Sequence, residues 1–280
     1  MKVRVLTGIG IFLVALPIIL LSDYIVYPIA LGLLCLMACF ELLRVFGLHK
    51  KWVVSVPSYI LTLCAPIFAS NMFKYDGGQI TYILILALAI FGFLIYLAGV
   101  SVLSGGKISF KLMSAVFTTV CYITVSFTSM SLIRYMAGGV YFFAITFIVA
   151  WMCDTFAYFT GRLFGKHKLS PELSPKKTVE GSLGGMLFAV ICCLLYGYII
   201  ELTCGVNANY LVLFLIGLFG SVITQIGDLF ASLIKREYGI KDYSKLLPGH
   251  GGIMDRFDSI LALSAPLMAV CLLVPPFTLA

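Results

Sequence analysis

Long runs of apolar residues dominate the chain, and short polar stretches interrupt them. A helix that crosses a bilayer needs about 20 mostly apolar residues, with a range of about 17 to 25. Nine runs meet this requirement, so the pattern predicts an all-α polytopic membrane protein with about nine transmembrane helices. The runs are residues 5–21, 24–46, 53–70, 80–103, 112–132, 138–161, 183–201, 209–233 and 260–279, each end defined to within several residues.

The first run must be distinguished from a signal peptide. Lys2 and Arg4 precede it, as they would precede the apolar region of a signal peptide, but no small-x-small cleavage site follows. We therefore expect residues 5–21 to remain as a span. Only Ser22 and Asp23 separate this run from the second, so the two spans are predicted to form a tight helical hairpin.

The composition excludes a soluble globular enzyme. The chain is 61% hydrophobic and 11% charged, whereas a soluble domain carries about a quarter charged residues. The nine cysteines lie mostly within apolar runs and lack C-x-x-C spacing, so we expect neither a disulfide framework nor a zinc site.

The distribution of positive charge predicts the orientation. With the N-terminus in the cytoplasm and all nine runs spanning, every Lys and Arg except Lys74 and Arg134 falls on the cytoplasmic side. Enrichment of Lys and Arg on that side is the strongest orientation signal in membrane proteins. Chemistry at the polar loops is therefore predicted to face the cytoplasm.

Acidic residues are concentrated in the second half of the chain. Of 12 acids, only Asp23, Glu41 and Asp76 precede residue 150. Glu41 is interpreted as a structural partner of Arg44, three residues further along one helix. The chain is accordingly divided into an N-terminal region of about five spans and a catalytic region of about four spans with two cytoplasmic loops. The regions are residues 1–137 and 138–280, and the loops are residues 162–182 and 234–259.

The first polar segment is residues 151–181. Asp154 lies inside the sixth predicted span, about seven residues or roughly 10 Å from its end. Tyr158 and Arg162 follow at four-residue spacing and are expected on the same helix face. Further on, the sequence SPKKT flanks paired lysines with hydroxyls, as in a phosphate cradle. Its candidate residues are Ser174, Lys176, Lys177 and Thr178.

Two other features of this segment carry less information. Lys166 and Lys168 are also explained by orientation alone, because lysines commonly follow a cytoplasmic helix end. The stretch GRLFGKHK does not have the spacing of a nucleotide-binding P-loop, since three residues separate its glycines and His167 replaces the required hydroxyl.

The second polar segment is residues 224–236. Asp228 lies inside the eighth predicted span, and Thr224, Ser232 and Arg236 repeat around it at four-residue spacing. An ionisable residue within a span is expensive and marks a functional site by default. The alternative is that Asp228 only pairs with Arg236 or with Lys235.

The third polar segment, KLLPGHGGIMDRFDS, is residues 245–259. Its glycines allow the backbone to approach another group closely, and Asp255 and Asp258 would share a face if a helix begins there. They could instead only complement a helix macrodipole. With Asp154 and Asp228, however, up to four carboxylates converge near one plane and would repel one another unless they bind a cation. Oxygen ligands favour Mg²⁺ or a similar hard ion.

Carboxylates for a metal ion, surrounded by Lys and Arg for phosphates, predict phosphoryl or nucleotidyl transfer to a lipid. The run SLIKREYGIKDYSKLLPGHGGIMDRFD, residues 232–258, resembles the signature of the phosphatidate cytidylyltransferases, or CDP-diacylglycerol synthases, of bacterial type. The upstream pattern D-x-x-A-Y-x-x-G-R, followed by FGK and SPKKT-x-EG, is also similar to that family. The resemblance covers mainly residues 150–260.

This resemblance implies that CTP and phosphatidate become CDP-diacylglycerol and pyrophosphate with Mg²⁺ as cofactor; whether a second cation is bound is left open. It implies Asp228 and Asp255 as main metal ligands, with Asp258 and Asp154 as further carboxylates. Phosphate oxygens would be held by Lys176, Lys177, Lys235 and Arg236, and Ser174, Thr178, Ser232, Tyr158 and Arg162 join the predicted substrate site. Lys241, Asp242, His250 and Arg256 would order the loop or contact the nucleotide, and His250 would be either a proton donor or a structural hydrogen-bonding group.

The expected partners are CTP, phosphatidate and the bilayer of a bacterial inner (plasma) membrane. No nucleic-acid partner is expected, and the resemblance is consistent with a homodimer. One rival joins a CDP-activated lipid to an alcohol, but its D-G-x-x-A-R motif is missing. A CTP-dependent lipid or polyprenol kinase is closer and differs in releasing CDP. An ion-coupled transporter would place its acids near the bilayer midplane on broken helices, whereas these acids are expected near one face.

Overall fold

A computed structural model of the chain describes residues 17–22, 24–72 and 78–279, together with the single positions 7, 10 and 13. Within these residues, eight helices are long and apolar enough to cross a membrane, which confirms an all-α polytopic membrane protein. They are Val26–Val45 (α1), Trp52–Met72 (α2), Gly78–Leu103 (α3), Phe110–Tyr135 (α4), Gly139–Phe164 (α5), Val179–Cys204 (α6), Tyr210–Glu237 (α7) and Met254–Leu273 (α8).

Several predictions fall on residues that the structure does not describe. Most of the predicted span 5–21 lies outside the described residues, although residues 17–20 are helical. The predicted hairpin also lies partly outside them, since Ser22 is described but Asp23 is not. The charged residues Lys74 and Asp76 lie outside them as well. The other eight predicted spans each correspond to one of the helices α1 to α8.

The last predicted span, residues 260–279, is wrong at both ends. Helix α8 begins at Met254, so Asp255 and Asp258 lie in its first two turns, and it ends at Leu273. Pro275 and Pro276 lack the N–H groups that a continuing helix needs. Beyond them the strand Phe277–Leu279 (β4) pairs antiparallel with Val206–Ala208 (β3).

The predicted loop 162–182 is largely regular structure. Helix α5 continues to Phe164, and the strands Lys168–Ser170 (β1) and Ser174–Thr178 (β2) then form an antiparallel hairpin. Helix α6 follows directly at Val179. The SPKKT sequence is therefore strand β2, which holds its lysines on an ordered ribbon.

The chain divides into two compact units. The first comprises residues 1–135 and 240–256, and the second comprises residues 136–239 and 257–280. The buried side chains of the first unit include Leu42, Phe127 and Ile133. The predicted functional regions 1–137 and 138–280 stay a prediction.

In the second unit, glycines bring helices α5 and α6 close together. A Cβ atom on Gly181 would lie 2.6 Å from the carbonyl oxygen of Ala157, and one on Gly185 would lie 2.6 Å from that of Cys153. Small residues permit this close approach of membrane helices. The rings of Phe156 and Phe188 stack between the same helices, with centroids 3.9 Å apart. The packing fixes the end of α5 against the start of α6.

Candidate active site

Three predicted metal ligands come together in the second unit from three different helices. Asp154 lies on α5, Asp228 on α7 and Asp258 on α8, and each carboxylate is close enough to interact electrostatically with the other two. Because α5 ends at Phe164 rather than at residue 161, Asp154 lies about 15 Å from the helix end, deeper than predicted. Asp258 is buried, whereas Asp154 is exposed and Asp228 half-buried.

Ser259 connects two of these acids. Its hydroxyl donates to Asp154 Oδ2 at 3.2 Å, and its backbone N–H donates to Asp258 Oδ1 at 2.8 Å. The hydroxyl also lies 3.2 Å from Asp258 Oδ1. Sequence reasoning missed Ser259, although its position directly after Asp258 in the motif was a usable signal.

Lys177 of strand β2 forms an ion pair with Asp228. Its Nζ lies 2.6 Å from Asp228 Oδ2, and both side chains are partly accessible, at 24% and 28%. The Lys177 charge also acts on Asp154. The ion-pair partner of Asp228 is therefore Lys177 of the β1–β2 hairpin, and not Lys235 or Arg236 of its own helix as in the alternative interpretation.

Backbone contacts hold this hairpin in place. Thr178 is buried, and its hydroxyl accepts the Gly181 N–H at 3.1 Å, which caps helix α6. Glu180, another residue that sequence reasoning missed, accepts the backbone N–H groups of Lys166 at 3.0 Å and His167 at 3.2 Å. The position of Lys177 therefore follows from the cap of α6 on one side and the end of α5 on the other.

The remaining predicted site residues of the second unit differ in their exposure. Lys235 is half-buried and acts electrostatically on Asp258. Arg236 is exposed and donates from Nε to the carbonyl oxygen of Leu173, in the β1–β2 turn, at 3.4 Å. Tyr158, Arg162 and Lys176 are exposed, Ser174 is half-buried and Ser232 is buried. The substrate-binding roles of these residues and of Thr178 stay predictions.

In the first unit, Asp255 closes the loop that precedes α8 in the signature run, residues 240–253, which we call the signature loop. Its Oδ2 accepts the backbone N–H of Tyr243 at 2.8 Å and that of Gly252 at 3.0 Å. Gly251 has a φ of +82°, and a Cβ atom there would lie 2.7 Å from Asp255 Oδ2. The glycine at this position thus lets the backbone approach a carboxylate of the protein itself.

The same loop encloses a polar cavity of about 670 Å³. Its wall carries three cations against one acid, so its charge suits a polyanion. The Nδ1 of His250 is buried and has no hydrogen-bond partner among the described residues. The lining residues are Lys241, Asp242, Ser244, Lys245, Leu247, Pro248, Gly249, His250, Gly251 and Arg256.

The predicted pairing of Glu41 with Arg44 is wrong. Glu41 accepts hydrogen bonds from Ser244, Ile253 and Met254. The Nη2 of Arg44 donates instead to the carbonyl oxygen of Tyr243 at 2.6 Å. Two neighbouring residues of α1 therefore bind the signature loop rather than each other, because the loop offers backbone groups that need partners.

The donor set of the second unit fits a hard divalent cation. Asp154, Asp228 and Asp258 offer only oxygen atoms, the ligands that Mg²⁺ prefers. In residues 17–22, 24–72 and 78–279, no three His, Cys, Asp or Glu side chains are arranged so that they could hold a metal ion by themselves. Mg²⁺ is usually held by one or two carboxylates with water and substrate phosphate oxygens, so a complete protein cage is not required.

Comparison with known proteins adds an independent observation. The sequence profile described as the cytidylyltransferase family matches residues 2–274. This chain belongs to that family. The resemblance seen in the signature run is thereby confirmed, and it extends over nearly the whole chain rather than over residues 150–260 alone.

Similar proteins include three staphylococcal enzymes named phosphatidate cytidylyltransferase. The protein from Staphylococcus haemolyticus is 36% identical over 273 residues, covering 98% of this chain and 99% of its own length. The protein from Staphylococcus epidermidis is 35% identical over 274 residues, with the same coverage of both chains. The protein from Staphylococcus aureus is 35% identical over 273 residues, again with 98% and 99% coverage.

Proposed function

We propose that this chain transfers the cytidylyl group of CTP to phosphatidate, giving CDP-diacylglycerol and pyrophosphate. A phosphate oxygen of phosphatidate attacks the α-phosphorus of CTP, and the bond from that phosphorus to the oxygen bridging to the β-phosphate breaks. The family of the chain and its near full-length similarity to the staphylococcal enzymes support this reaction. The phosphate of phosphatidate is already an anion near neutral pH, so the nucleophile needs no strong general base.

The observation that carries the proposal is the group of three carboxylates and Lys177 within the membrane-spanning region of the second unit. The barrier of this reaction lies in bringing two polyanions together and in stabilising the leaving pyrophosphate. Fixed positive charges reduce the repulsion between the two polyanions and stabilise the leaving pyrophosphate. Lys177, held by the hairpin, and Lys235 and Arg236, at the end of α7, are the cations that would face phosphate oxygens.

Asp154, Asp228 and Asp258 would hold Mg²⁺, and the prediction that Asp255 joins them is kept as part of the proposal. Bound Mg²⁺ would neutralise phosphate charge and stabilise the leaving group. The protein's own contribution is to keep these carboxylates in place, through Ser259 for Asp154 and Asp258 and through Lys177 for Asp228.

The cavity of the signature loop is the proposed site for CTP. Its volume of about 670 Å³ lies within the usual range of ligand pockets, about 300–1,000 Å³. Lys241, Lys245 and Arg256 supply positive charge for a triphosphate, and His250 lines the same cavity. We further propose that the site faces the cytoplasm in a bacterial inner membrane, because CTP is a cytoplasmic nucleotide and Lys and Arg sort to that side. The homodimer stays a prediction.

Labelled CTP tests this reaction against its closest rival. Purified protein in detergent is incubated with phosphatidate, Mg²⁺ and CTP labelled at either the α- or the γ-phosphate. We expect the α-label in extractable CDP-diacylglycerol and the γ-label in pyrophosphate. Transfer of the γ-label to lipid with release of CDP would instead establish a CTP-dependent lipid kinase, and no transfer of either label would contradict both enzymes.

A further inference from the structure

Glu41 is a buried carboxylate near the C-terminal end of an apolar helix. It lies on α1, and only 2% of its surface is accessible. A buried charge is costly unless it is paired or fully hydrogen-bonded. The described residues place no cation against it, since the guanidinium of Arg44 is engaged with Tyr243. Its burial is offset by hydrogen bonds alone.

All of these hydrogen bonds come from the two ends of one loop segment. The Oε1 atom accepts the Ser244 hydroxyl at 2.5 Å and the Ile253 N–H at 3.0 Å. The Oε2 atom accepts the Met254 N–H at 3.0 Å, at the start of α8. One side chain thus joins residues that lie nine positions apart, and residues 244–253 form a loop that Glu41 closes at its base.

The fit of Glu41 against this loop is tight. A Cβ atom on Gly252 would collide with the Glu41 carboxylate, so only glycine allows the approach. Asp255 adds a second closure by accepting the N–H groups of Tyr243 and Gly252, the neighbours of the residues that Glu41 binds. Two carboxylates therefore fix the same pair of chain segments.

This loop is also most of the wall of the polar cavity. Ser244 belongs to both features, because it donates to Glu41 and lines the cavity with Lys245, His250 and Gly251. Within the segment, Leu247 and Gly251 pair through a backbone hydrogen bond of 2.9 Å, which makes it a compact turn. Movement at the base of the loop would displace the cations of the cavity as a group.

We propose that Glu41 is a positioning residue for nucleotide binding: its carboxylate clamps the base of loop 244–253 and so sets the shape of the cavity that takes the triphosphate of CTP. The role of Glu41 in CTP binding rests on the proposed function, whereas its closure of the loop rests on the observed hydrogen bonds alone. An N-terminal membrane helix thereby contributes to substrate recognition without touching the substrate.

The variant Glu41→Gln tests this role with little change in volume. Its NH2 group would replace one of the two carboxylate oxygens and would face the Met254 N–H or, with the amide flipped, the Ile253 N–H, leaving at least one backbone donor without an acceptor. We expect the KM for CTP to rise about tenfold, the value for one charged hydrogen bond, and the KM for phosphatidate to change less than about twofold. Amides of residues 244–254 should exchange hydrogen faster, with no change in helix α6.

Glu201→Gln is the matched control. Glu201 also accepts a backbone N–H, from Ala208 at 3.4 Å, but it lies at the far end of α6 from the hairpin. We expect this substitution to leave both KM values unchanged. Glu41→Asp, which keeps the charge on a shorter side chain, should recover part of the CTP affinity lost in Glu41→Gln.

Ser244→Ala provides a second route if Glu41→Gln does not fold. It removes one of the three donors, so we expect a smaller rise in the KM for CTP and faster exchange confined to the loop. A folded Glu41→Gln or Ser244→Ala variant with an unchanged KM for CTP would overturn the proposal, as would equal rises for both substrates.

A failure of the proposed reaction can be distinguished from a failure of the proposed role of Glu41. If the wild-type protein forms no CDP-diacylglycerol, the cytidylyltransferase activity is wrong, and the nucleotide role of Glu41 falls with it. Hydrogen exchange in the loop still measures the clamp in that case. If the wild-type protein is active and Glu41→Gln loosens the loop without affecting CTP, the reaction stands and the positioning role does not.

Discussion

The ammonium group of Lys177 lies 2.6 Å from Oδ2 of Asp228, and the two residues come from a short β-hairpin and a membrane helix. This ion pair places a positive charge directly on a carboxylate that is predicted to bind Mg²⁺. A cation bound by Asp228 would compete with Lys177 for the carboxylate. Under the proposed function, the Lys177 ammonium group would then be available to substrate phosphate oxygens.

We expect Lys177→Ala to lower kcat/KM on the order of 100-fold, comparable to the loss of one preorganised charged group at a transition state. Lys176→Ala is the matched comparison, because this neighbouring lysine is exposed and should cost less than about tenfold. Steady-state kinetics with both substrates measure the difference. Equal effects of the two substitutions would contradict a specific role for Lys177.

Asp228→Asn should abolish turnover, with a loss of at least about 1,000-fold, because it removes a metal ligand and leaves Lys177 without its partner. Membrane insertion and elution in detergent should be retained. Glu172→Gln, an exposed carboxylate in the hairpin turn, serves as control. Near-normal activity of Asp228→Asn at saturating Mg²⁺ would exclude Asp228 as a ligand.

Asp255→Asn distinguishes a metal ligand from a loop closure. If Asp255 binds the metal, kcat should fall at least about 100-fold and raising the Mg²⁺ concentration should restore part of it. If Asp255 only accepts the N–H groups of Tyr243 and Gly252, the amide oxygen should preserve much of that contact, and only the KM for CTP should change. We expect the first result, measured as kcat across a Mg²⁺ titration.

Ser259→Ala should lower kcat about three- to tenfold, since it removes one hydrogen bond that orients Asp154, worth about 1 kcal/mol. Ser264→Ala, one to two turns further along α8, is the control. Its buried hydroxyl donates only to the carbonyl oxygen of Ile260 in the same helix. An identical kcat in both variants would show that the contact between Ser259 and Asp154 has no catalytic consequence.

Gly185→Leu should destabilise the protein by about 1–3 kcal/mol, the usual cost of overpacking, because its Cβ atom alone would lie 2.6 Å from the Cys153 carbonyl oxygen. Gly92→Leu on α3 meets nothing within 4 Å and should have little effect. Thermal unfolding in detergent measures both. Equal melting temperatures would show that α5 and α6 can separate without loss of stability.

The membrane helices were predictable because their signal is local. A run of apolar residues must form a helix in lipid, since every backbone polar group has to be satisfied within the segment. Eight predicted spans therefore match α1 to α8. The last span was misplaced because Asp255 and Asp258 lowered the apolar signal of the first turns of α8, while Phe277–Leu279 is apolar but follows two prolines.

The acids of the candidate site were also predictable in part. An acid inside a span is so costly that Asp154 and Asp228 were identified from position alone, and the signature run indicated Asp255 and Asp258. Ser259 and Glu180 were not singled out, although Ser259 directly follows Asp258 and Glu180 belongs to the SPKKT-x-EG pattern. Their contacts depend on which segments the fold brings next to them, and the sequence alone does not give those.

By itself, the sequence determined the helical membrane class, the family and the residue types of the site, because hydropathy and motif spacing are properties of short segments. Only the tertiary structure decided that Lys177 is the partner of Asp228 and that Glu41 closes a loop 203 residues further along the chain. Such pairs form where helix packing brings distant segments of the chain together. Buried polar groups must then form hydrogen bonds or ion pairs with the groups that lie next to them in the folded protein.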